Sequence, residues 1–124
     1  RFDIRSGDMF FSVDFSTSED LIIYRDLIIG QSNDDEIIAF DAINGTKRWS
    51  NENFMFRNLS SINLLNGKLY FGDLDGYLHE VDASTGEILG ITRTSLGAIN
   101  QVVLNDEFIA ASDFSGKIKI FEIF

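Results

Sequence analysis

The feature that most constrains this sequence is an internal repeat. The pattern Asp-x-x-x-Gly occurs with its Asp and Gly at Asp3 and Gly7, at Asp41 and Gly45, and at Asp82 and Gly86. The acidic residue returns as Glu122, so these positions follow one another about every 40 residues. A second, apolar signal keeps the same interval, beginning at Leu27, Leu69 and Phe108. Because two features share one period, the sequence predicts a repeat architecture.

Each repeat is predicted to form four short antiparallel strands. Stretches rich in β-branched and aromatic residues alternate with turn pairs, of which Asn66-Gly67 is typical of a type I′ hairpin. The pair Asp75-Gly76 aligns with Ser115-Gly116 and with residues 33–35 of the preceding repeat, which on this alignment carries one extra residue. The same alignment predicts equivalent positions for Ile28, Tyr70 and Ile109.

Four-stranded antiparallel units at this spacing are typical of β-propeller blades. The predicted fold is therefore all-β, with about three blades of a larger, eight-bladed ring. Residues 1–14 are predicted to end a preceding blade, residues 20–52 and 60–93 to form whole blades, and residues 99–124 to form a last blade without its outer strand. We expect Arg1 to mark a truncation and Phe124 a natural terminus. Since an incomplete sheet exposes an unpaired edge, we expect the isolated chain to associate and not to be a well-behaved monomer.

Composition excludes several classes of function. The chain has 20 acidic and 10 basic residues and a formal net charge of −10, whereas a nucleic-acid surface depends on Lys and Arg that neutralise phosphates. It contains no Cys, which excludes disulfide frameworks, thiolate metal sites and Cys nucleophiles. No apolar run approaches the length of a membrane-spanning helix.

Residues able to carry chemistry are few. His79 is the only His and has no nucleophile or metal partner at a suitable spacing, so a structural role is predicted. The stretch from Asp73 to Gly76 resembles the start of a calcium loop but lacks the further oxygen ligands, and it is read as a hairpin turn. No phosphate-binding glycine motif is present. We therefore assign no catalytic, cofactor-binding or metal-binding residue.

One repeat extends to the pattern Ala39-x-Asp41-x-x-x-Gly45-x-x-x-Trp49, which resembles the tryptophan-docking repeat of the quinoprotein (PQQ) dehydrogenase-like propellers. Gly90 and Phe11 stand in place of the Trp in the other copies. In this interpretation the Asp accepts hydrogen bonds from the turn amides, the Gly supplies a left-handed residue, and the Trp packs between neighbouring blades. The residues assigned to this structural motif are Asp3, Gly7, Asp41, Gly45, Trp49, Asp82 and Gly86.

Within that superfamily the order of segments most resembles the BamB family, lipoproteins of the outer-membrane β-barrel assembly machinery. The most specific stretch is Gly-Asp-x-x-Gly-Tyr-x-His at residues 72–79; the absence of Pro and the presence of Glu80 depart from the family. The resemblance implies a non-enzymatic, cofactor-free interaction scaffold that assists insertion of β-barrel proteins. It implies a location at the periplasmic face of the outer membrane, a lipid anchor upstream of Arg1, and the POTRA domains of the barrel assembly protein as partner. The resemblance does not identify any residue of this chain as a contact with the partner.

Two alternatives remain open. The chain could be a fragment of a PQQ-dependent quinoprotein dehydrogenase, although the basic contacts and calcium ligands that such a cofactor uses are not visible in it. It could also be a propeller of the same superfamily with other partners. The sequence upstream of Arg1 would discriminate, because a lipobox Cys favours the lipoprotein, whereas calcium ligands and a Cys pair favour the enzyme.

Overall fold

The computed structural model describes residues 21–123, so Asp3, Gly7 and the predicted end of a preceding blade lie outside the described residues. Within that range, eleven strands form three antiparallel sheets in which neighbours in sequence pair with each other. The first sheet contains β1 (Ile22–Tyr24), β2 (Leu27–Gln31), β3 (Ile37–Asp41) and β4 (Lys47–Asn51). The second contains β5 (Asn63–Leu65), β6 (Lys68–Gly72), β7 (Tyr77–Asp82) and β8 (Ile88–Arg93). The third contains β9 (Ile99–Leu104), β10 (Phe108–Asp113) and β11 (Ile118–Glu122).

The predicted all-β class is confirmed: residues 21–123 contain no helix, and accordingly none that could cross a membrane. Local sequence explains the tight β5–β6 turn. Asn66 and Gly67 have φ of 52° and 75°, and these two positive values are what a type I′ turn requires. Asn and Gly tolerate this region better than other residues, so the pair sets the register in which Leu65 opposes Lys68.

The β2–β3 hairpin corrects one sequence expectation. The amide of Ser32 bonds to Glu36 O at 2.8 Å, and the amide of Asp73 bonds to Tyr77 O at 3.0 Å, so the two hairpins have the same length. Asp35, at φ 68°, takes the left-handed position that a glycine occupies in the second and third sheets. The predicted extra residue is therefore wrong, because an Asp fills a place where the sequence pattern suggested only Gly.

The corrected alignment also changes one member of the set of positions predicted to be equivalent, namely Tyr70. Leu27, Lys68 and Phe108 each oppose the acidic residue that ends the third strand of their sheet. Ile28 is consequently equivalent to Leu69 and Ile109, whereas Tyr70 is equivalent to Ile29. Since side chains alternate between faces, this one-residue shift places Tyr70 on the opposite face from Leu69.

Two apolar cores hold the sheets face to face. The core between the first and second sheets is the larger and is built on Ile29, Ile37, Phe54, Leu69, Phe71 and Val81. The core between the second and third sheets is built on Tyr70, Leu78, Ile99, Val102 and Ile109. The second sheet is thus covered on both faces, which explains why its strands β6 and β7 are largely buried.

The outer edge of the first core is closed by Trp49. Its indole Nε1 donates to Ala83 O at 3.1 Å, and the Nδ2 of nearby Asn51 donates to Gly86 O at 2.9 Å. The indole lies directly on Gly86, where a Cβ atom would overlap Trp49 Cε3. Gly86 also has φ of 77°, so this position requires glycine for two independent reasons.

We expect Gly86→Ala to destabilise the chain by roughly 3 kcal/mol, because the new methyl adds overpacking against Trp49 to the cost of the left-handed backbone. Gly116→Ala is the matched control. Gly116 has φ of 92° and no described atom within 4 Å of its Cβ position, so only the backbone cost of about 1–2 kcal/mol applies. Urea unfolding measures both values. Equal losses for the two variants, or an unchanged gap when Trp49→Ala is added, would contradict this account.

Candidate functional site: the hairpin face

At one end of the sheets the chain crosses from each sheet to the next. We call this end the hairpin face; it comprises the hairpins 32–36, 73–77 and 113–117 and the linkers 52–62 and 94–98. The linkers bond to the hairpins: the amide of Phe56 donates to Asp34 O at 3.0 Å, and the amide of Leu74 donates to Arg57 O at 2.9 Å. The loops of this face are therefore fixed by the scaffold, as binding loops commonly are.

Asp73 begins the second hairpin of this face, and its side chain is fully buried. Its Oδ1 accepts hydrogen bonds from the amides of Asp75 and Tyr77, at 2.9 and 3.0 Å. Its Oδ2 lies 2.7 Å from His79 Nε2 and 3.5 Å from Arg57 Nη1. One oxygen thus holds the hairpin, while the other joins it to β7 and to the incoming linker. Donors satisfy the carboxylate from every side, which compensates for its burial.

Asp113 repeats the arrangement in the third sheet. Its Oδ1 accepts from the Ser115 hydroxyl at 2.6 Å and from the amides of Ser115 and Lys117, and its Oδ2 accepts from the Gly97 amide of the linker at 3.0 Å. The Ser115 hydroxyl first, then the Gly97 amide, lower the pKa of Asp113 to about 2. These donors stabilise the ionised form.

In the first sheet, two different residues bond the hairpin and the linker. Ser32 takes the position of Asp73, and its Oγ accepts from the amides of Asp34 and Glu36 at 3.3 and 3.0 Å. The link to the next linker comes from Asp35, whose carboxylate accepts from the amides of Asn58 and Leu59 at 2.9 and 3.3 Å. All three hairpins therefore anchor a linker through a buried carboxylate.

The buried His79 is placed for packing. Its side chain is 3% exposed, and its ring packs against those of Phe54 and Phe71, with centroid distances of 5.0 and 5.4 Å. Nε2 faces the Asp73 carboxylate, and Nδ1 is buried without a hydrogen-bond partner among the described residues. No nucleophile is hydrogen-bonded to this ring within residues 21–123, so the pair lacks the geometry of a catalytic dyad.

The described residues hold no group of three His, Cys, Asp or Glu side chains that could bind a metal ion. In the stretch considered for calcium, the Asp73 oxygens are already occupied by protein donors, and Asp75 lies exposed in the turn. The segment acts as a hairpin within the fold.

Exposed apolar side chains are the feature of this face that the sequence reading missed. Leu74 and Phe114 occupy the same position in two successive hairpins, 39% and 78% exposed, and Phe56 on the first linker is 72% exposed. Leu74 and Phe114 border a groove of about 370 Å³ that also contains Ser60 and Asn100. The sequence did contain a signal for these exposed side chains. An apolar residue that directly follows the Asp of a hairpin lies in the turn, where it cannot join the core.

Among the described residues, the turns of the repeat motif assigned from sequence, at residues 41–45 and 82–86, lie at the other end of the sheets. Asp41 Oδ1 accepts from the amides of Ile43 and Asn44 at 2.8 and 3.1 Å, and these bonds, the Ile43 amide foremost, lower the pKa of Asp41. Asp82 makes the same contacts with Ser84 and Thr85 at 2.7 and 3.3 Å. The structure therefore separates these turns from the hairpin face.

Because the pKa of Asp113 is lower in the folded chain than its unfolded value of about 3.9, its bonds stabilise the fold fully above that value. This stabilisation is lost as the pH falls toward about 2. We expect Asp113→Asn to be less stable than the parent at pH 7, and the difference in unfolding free energy to shrink between pH 5 and 2. Urea unfolding across this range tests it, with the exposed Asp106→Asn as control. A difference independent of pH would contradict the assigned role.

Comparison with known proteins supports one family. The chain is 30% identical over 119 residues to the outer membrane protein assembly factor BamB of Shewanella oneidensis; the match covers 95% of this chain and 30% of that protein. The crystal structure of BamB from Moraxella catarrhalis superposes with a TM-score of 0.87 at 24% identity, over 98% of this chain and 36% of that one. The chain thus spans about a third of the length of the proteins it matches. No protein-family model matches it.

A quinohemoprotein alcohol dehydrogenase from Pseudomonas putida HK5 also shares the fold. Its TM-score is 0.63 at 19% identity, over 89% of this chain and 20% of the enzyme. At that identity the likeness concerns architecture alone, since one fold serves many functions. The BamB match, by contrast, extends to sequence over nearly the whole chain. In sequence and in fold, the chain is a BamB-like segment of β-propeller.

Proposed function

We propose that this chain is part of a non-enzymatic protein-interaction scaffold that assists the assembly of β-barrel proteins into the outer membrane. The observation that carries the proposal is the sequence match to BamB over nearly the whole chain. The scaffold acts at the periplasmic face of the outer membrane, and a lipid anchor lies in the part of the protein that precedes Arg1.

Its partner in this proposal is the POTRA region of the barrel assembly protein. Two properties of the described residues support a protein partner. The hairpin face presents exposed apolar side chains at Phe56, Leu74 and Phe114 on hydrogen-bonded loops. Such rigid loops lose little conformational entropy on binding, which favours association.

The dehydrogenase alternative receives less support. Likeness to the quinohemoprotein enzyme is confined to the fold. The pair with a catalytic appearance, Asp73 and His79, is buried and committed to holding a hairpin and filling a core. No specific observation among the described residues favours redox chemistry.

A chimera tests the proposal. The matching segment of Shewanella oneidensis BamB is replaced by this chain, and the chimera is expressed in a strain that lacks BamB. We expect folded β-barrel proteins in the outer membrane to return close to their normal level, because the grafted blades supply the same scaffold. Heat-modifiable gel mobility of an abundant barrel protein measures the folded fraction.

The matched control carries the structurally equivalent segment of the quinohemoprotein alcohol dehydrogenase, which shares only the fold. It should not restore barrel assembly. A chimera that accumulates at the normal level and yet leaves barrel proteins as depleted as in the deletion strain would overturn the proposal.

A further inference from the structure

The pair Asn-Gly occurs in two turns of the chain, at residues 44–45 between β3 and β4 and at residues 66–67 between β5 and β6. The two Asn side chains differ in their contacts. Asn44 is held, because its Oδ1 accepts hydrogen bonds from the amide and the hydroxyl of Thr46, at 3.0 and 2.8 Å. Asn66 is exposed, and its side chain has no hydrogen-bond partner among the described residues. The same dipeptide is thus constrained in one turn and free in the other.

The peptide group between Asn66 and Gly67 is also free. Within residues 21–123, its carbonyl oxygen accepts no backbone hydrogen bond and its N–H donates none. In the other turn, by contrast, the Gly45 amide donates to Asp41 O at 2.9 Å, which fixes the peptide group that follows Asn44. Rotation of the peptide group at residues 66–67 therefore breaks no hydrogen bond within the part of the chain that the structure describes.

This rotation converts the type I′ turn into a type II′ turn without moving the strands. The first central residue of a type II′ turn has φ of about +60° and ψ of about −120°. At this ψ the nitrogen of the next residue eclipses the Cβ of an L-residue, so the Gly67 nitrogen comes beside the Asn66 side chain. Gly67 tolerates the change of its φ from 75° to a negative value because it has no Cβ. Since Asn is disfavoured at the first position of a type II′ turn, this arrangement is a minor state.

We propose that Asn66 is a site of covalent modification, where spontaneous deamidation gives aspartate and isoaspartate. The Gly67 nitrogen loses its proton to hydroxide and attacks Asn66 Cγ; the new bond closes a five-membered succinimide, and the side-chain nitrogen leaves as ammonia. Water then opens the ring at either carbonyl. Breaking the bond from the Gly67 nitrogen to Cγ gives aspartate, and breaking the bond to the main-chain carbonyl carbon gives isoaspartate.

The modification alters a turn that lies against both of the first two sheets. The Gly67 carbonyl accepts from the Ala83 amide at 2.9 Å, and the Tyr24 hydroxyl lies 2.9 Å from the position of a Cβ built on Gly67. Isoaspartate inserts a methylene group into the main chain, so the two-residue turn no longer fits the register in which Leu65 opposes Lys68. Either product also adds one negative charge to a chain whose net charge is −10.

The test is to age the 124-residue chain at mildly alkaline pH and to map its peptides by mass spectrometry, with electron-transfer fragmentation to distinguish isoaspartate from aspartate. We expect Asn66 to convert about tenfold faster than Asn44, because the hydrogen bonds around Asn44 must break before its succinimide can form. Circular dichroism verifies that the chain remains folded. The isoaspartyl fraction should unfold at a lower urea concentration than Asn66→Asp, which has the added charge and a normal main chain.

The same chain aged in concentrated urea is the matched control. Without the fold, both Asn-Gly pairs are unrestrained, and their rates should become nearly equal. Conversion of Asn66 no faster than that of Asn44 in the folded chain would overturn the inference. A preference for Asn66 that persists unchanged in urea would also overturn it, because the cause would then be the flanking sequence and not the two turns.

Discussion

A buried carboxylate at each hairpin is the interaction on which the arrangement of the sheets depends. Asp73 and Asp113 each use one oxygen for their own hairpin and the other for the linker that enters the sheet. Removing a carboxylate from water is costly unless donors replace the lost hydration. Here the donors are amides, a hydroxyl, an imidazole and a guanidinium, so the local turn and the path of the chain between sheets are fixed by one group.

A different contact closes the outer edge of the interface between the first and second sheets. Trp49 and Gly86 belong to neighbouring sheets and are complementary, because the indole needs a surface without a Cβ and the turn needs a left-handed glycine. Gly90 lies at the Trp49 position of the second sheet. The two interfaces therefore have similar apolar centres but different outer edges: the Trp49 ring fills the first, whereas the second has only Gly90 at the equivalent position. A repeat architecture permits this divergence, since each interface involves only neighbouring units.

Features encoded within a few residues were predictable. Alternating β-branched residues located the strands, and Asn66-Gly67 identified its turn, because both signals depend on local backbone preference. The link from Asp35 to Asn58 and the link from Asp113 to Gly97 were not predictable, because they join residues far apart in sequence. The alignment error around Asp35 has the same origin: a non-glycine residue at positive φ is sustained here by tertiary hydrogen bonds that no local pattern reveals.

The far face of the third sheet, which is turned away from the second sheet, carries apolar residues at repeat positions that are buried in the first sheet. Ile118 holds the position of Ile37, and Phe108 that of Leu27. In the first sheet these positions are buried against the second sheet, whereas Ile118 is 67% exposed. Ile120, at the position of Ala39, is equally exposed. Burying an isoleucine of this kind contributes about 1.5–3 kcal/mol. The residue pattern of this face is thus that of an interface between sheets, so the third sheet is composed to pack against another one, as each blade of a propeller does.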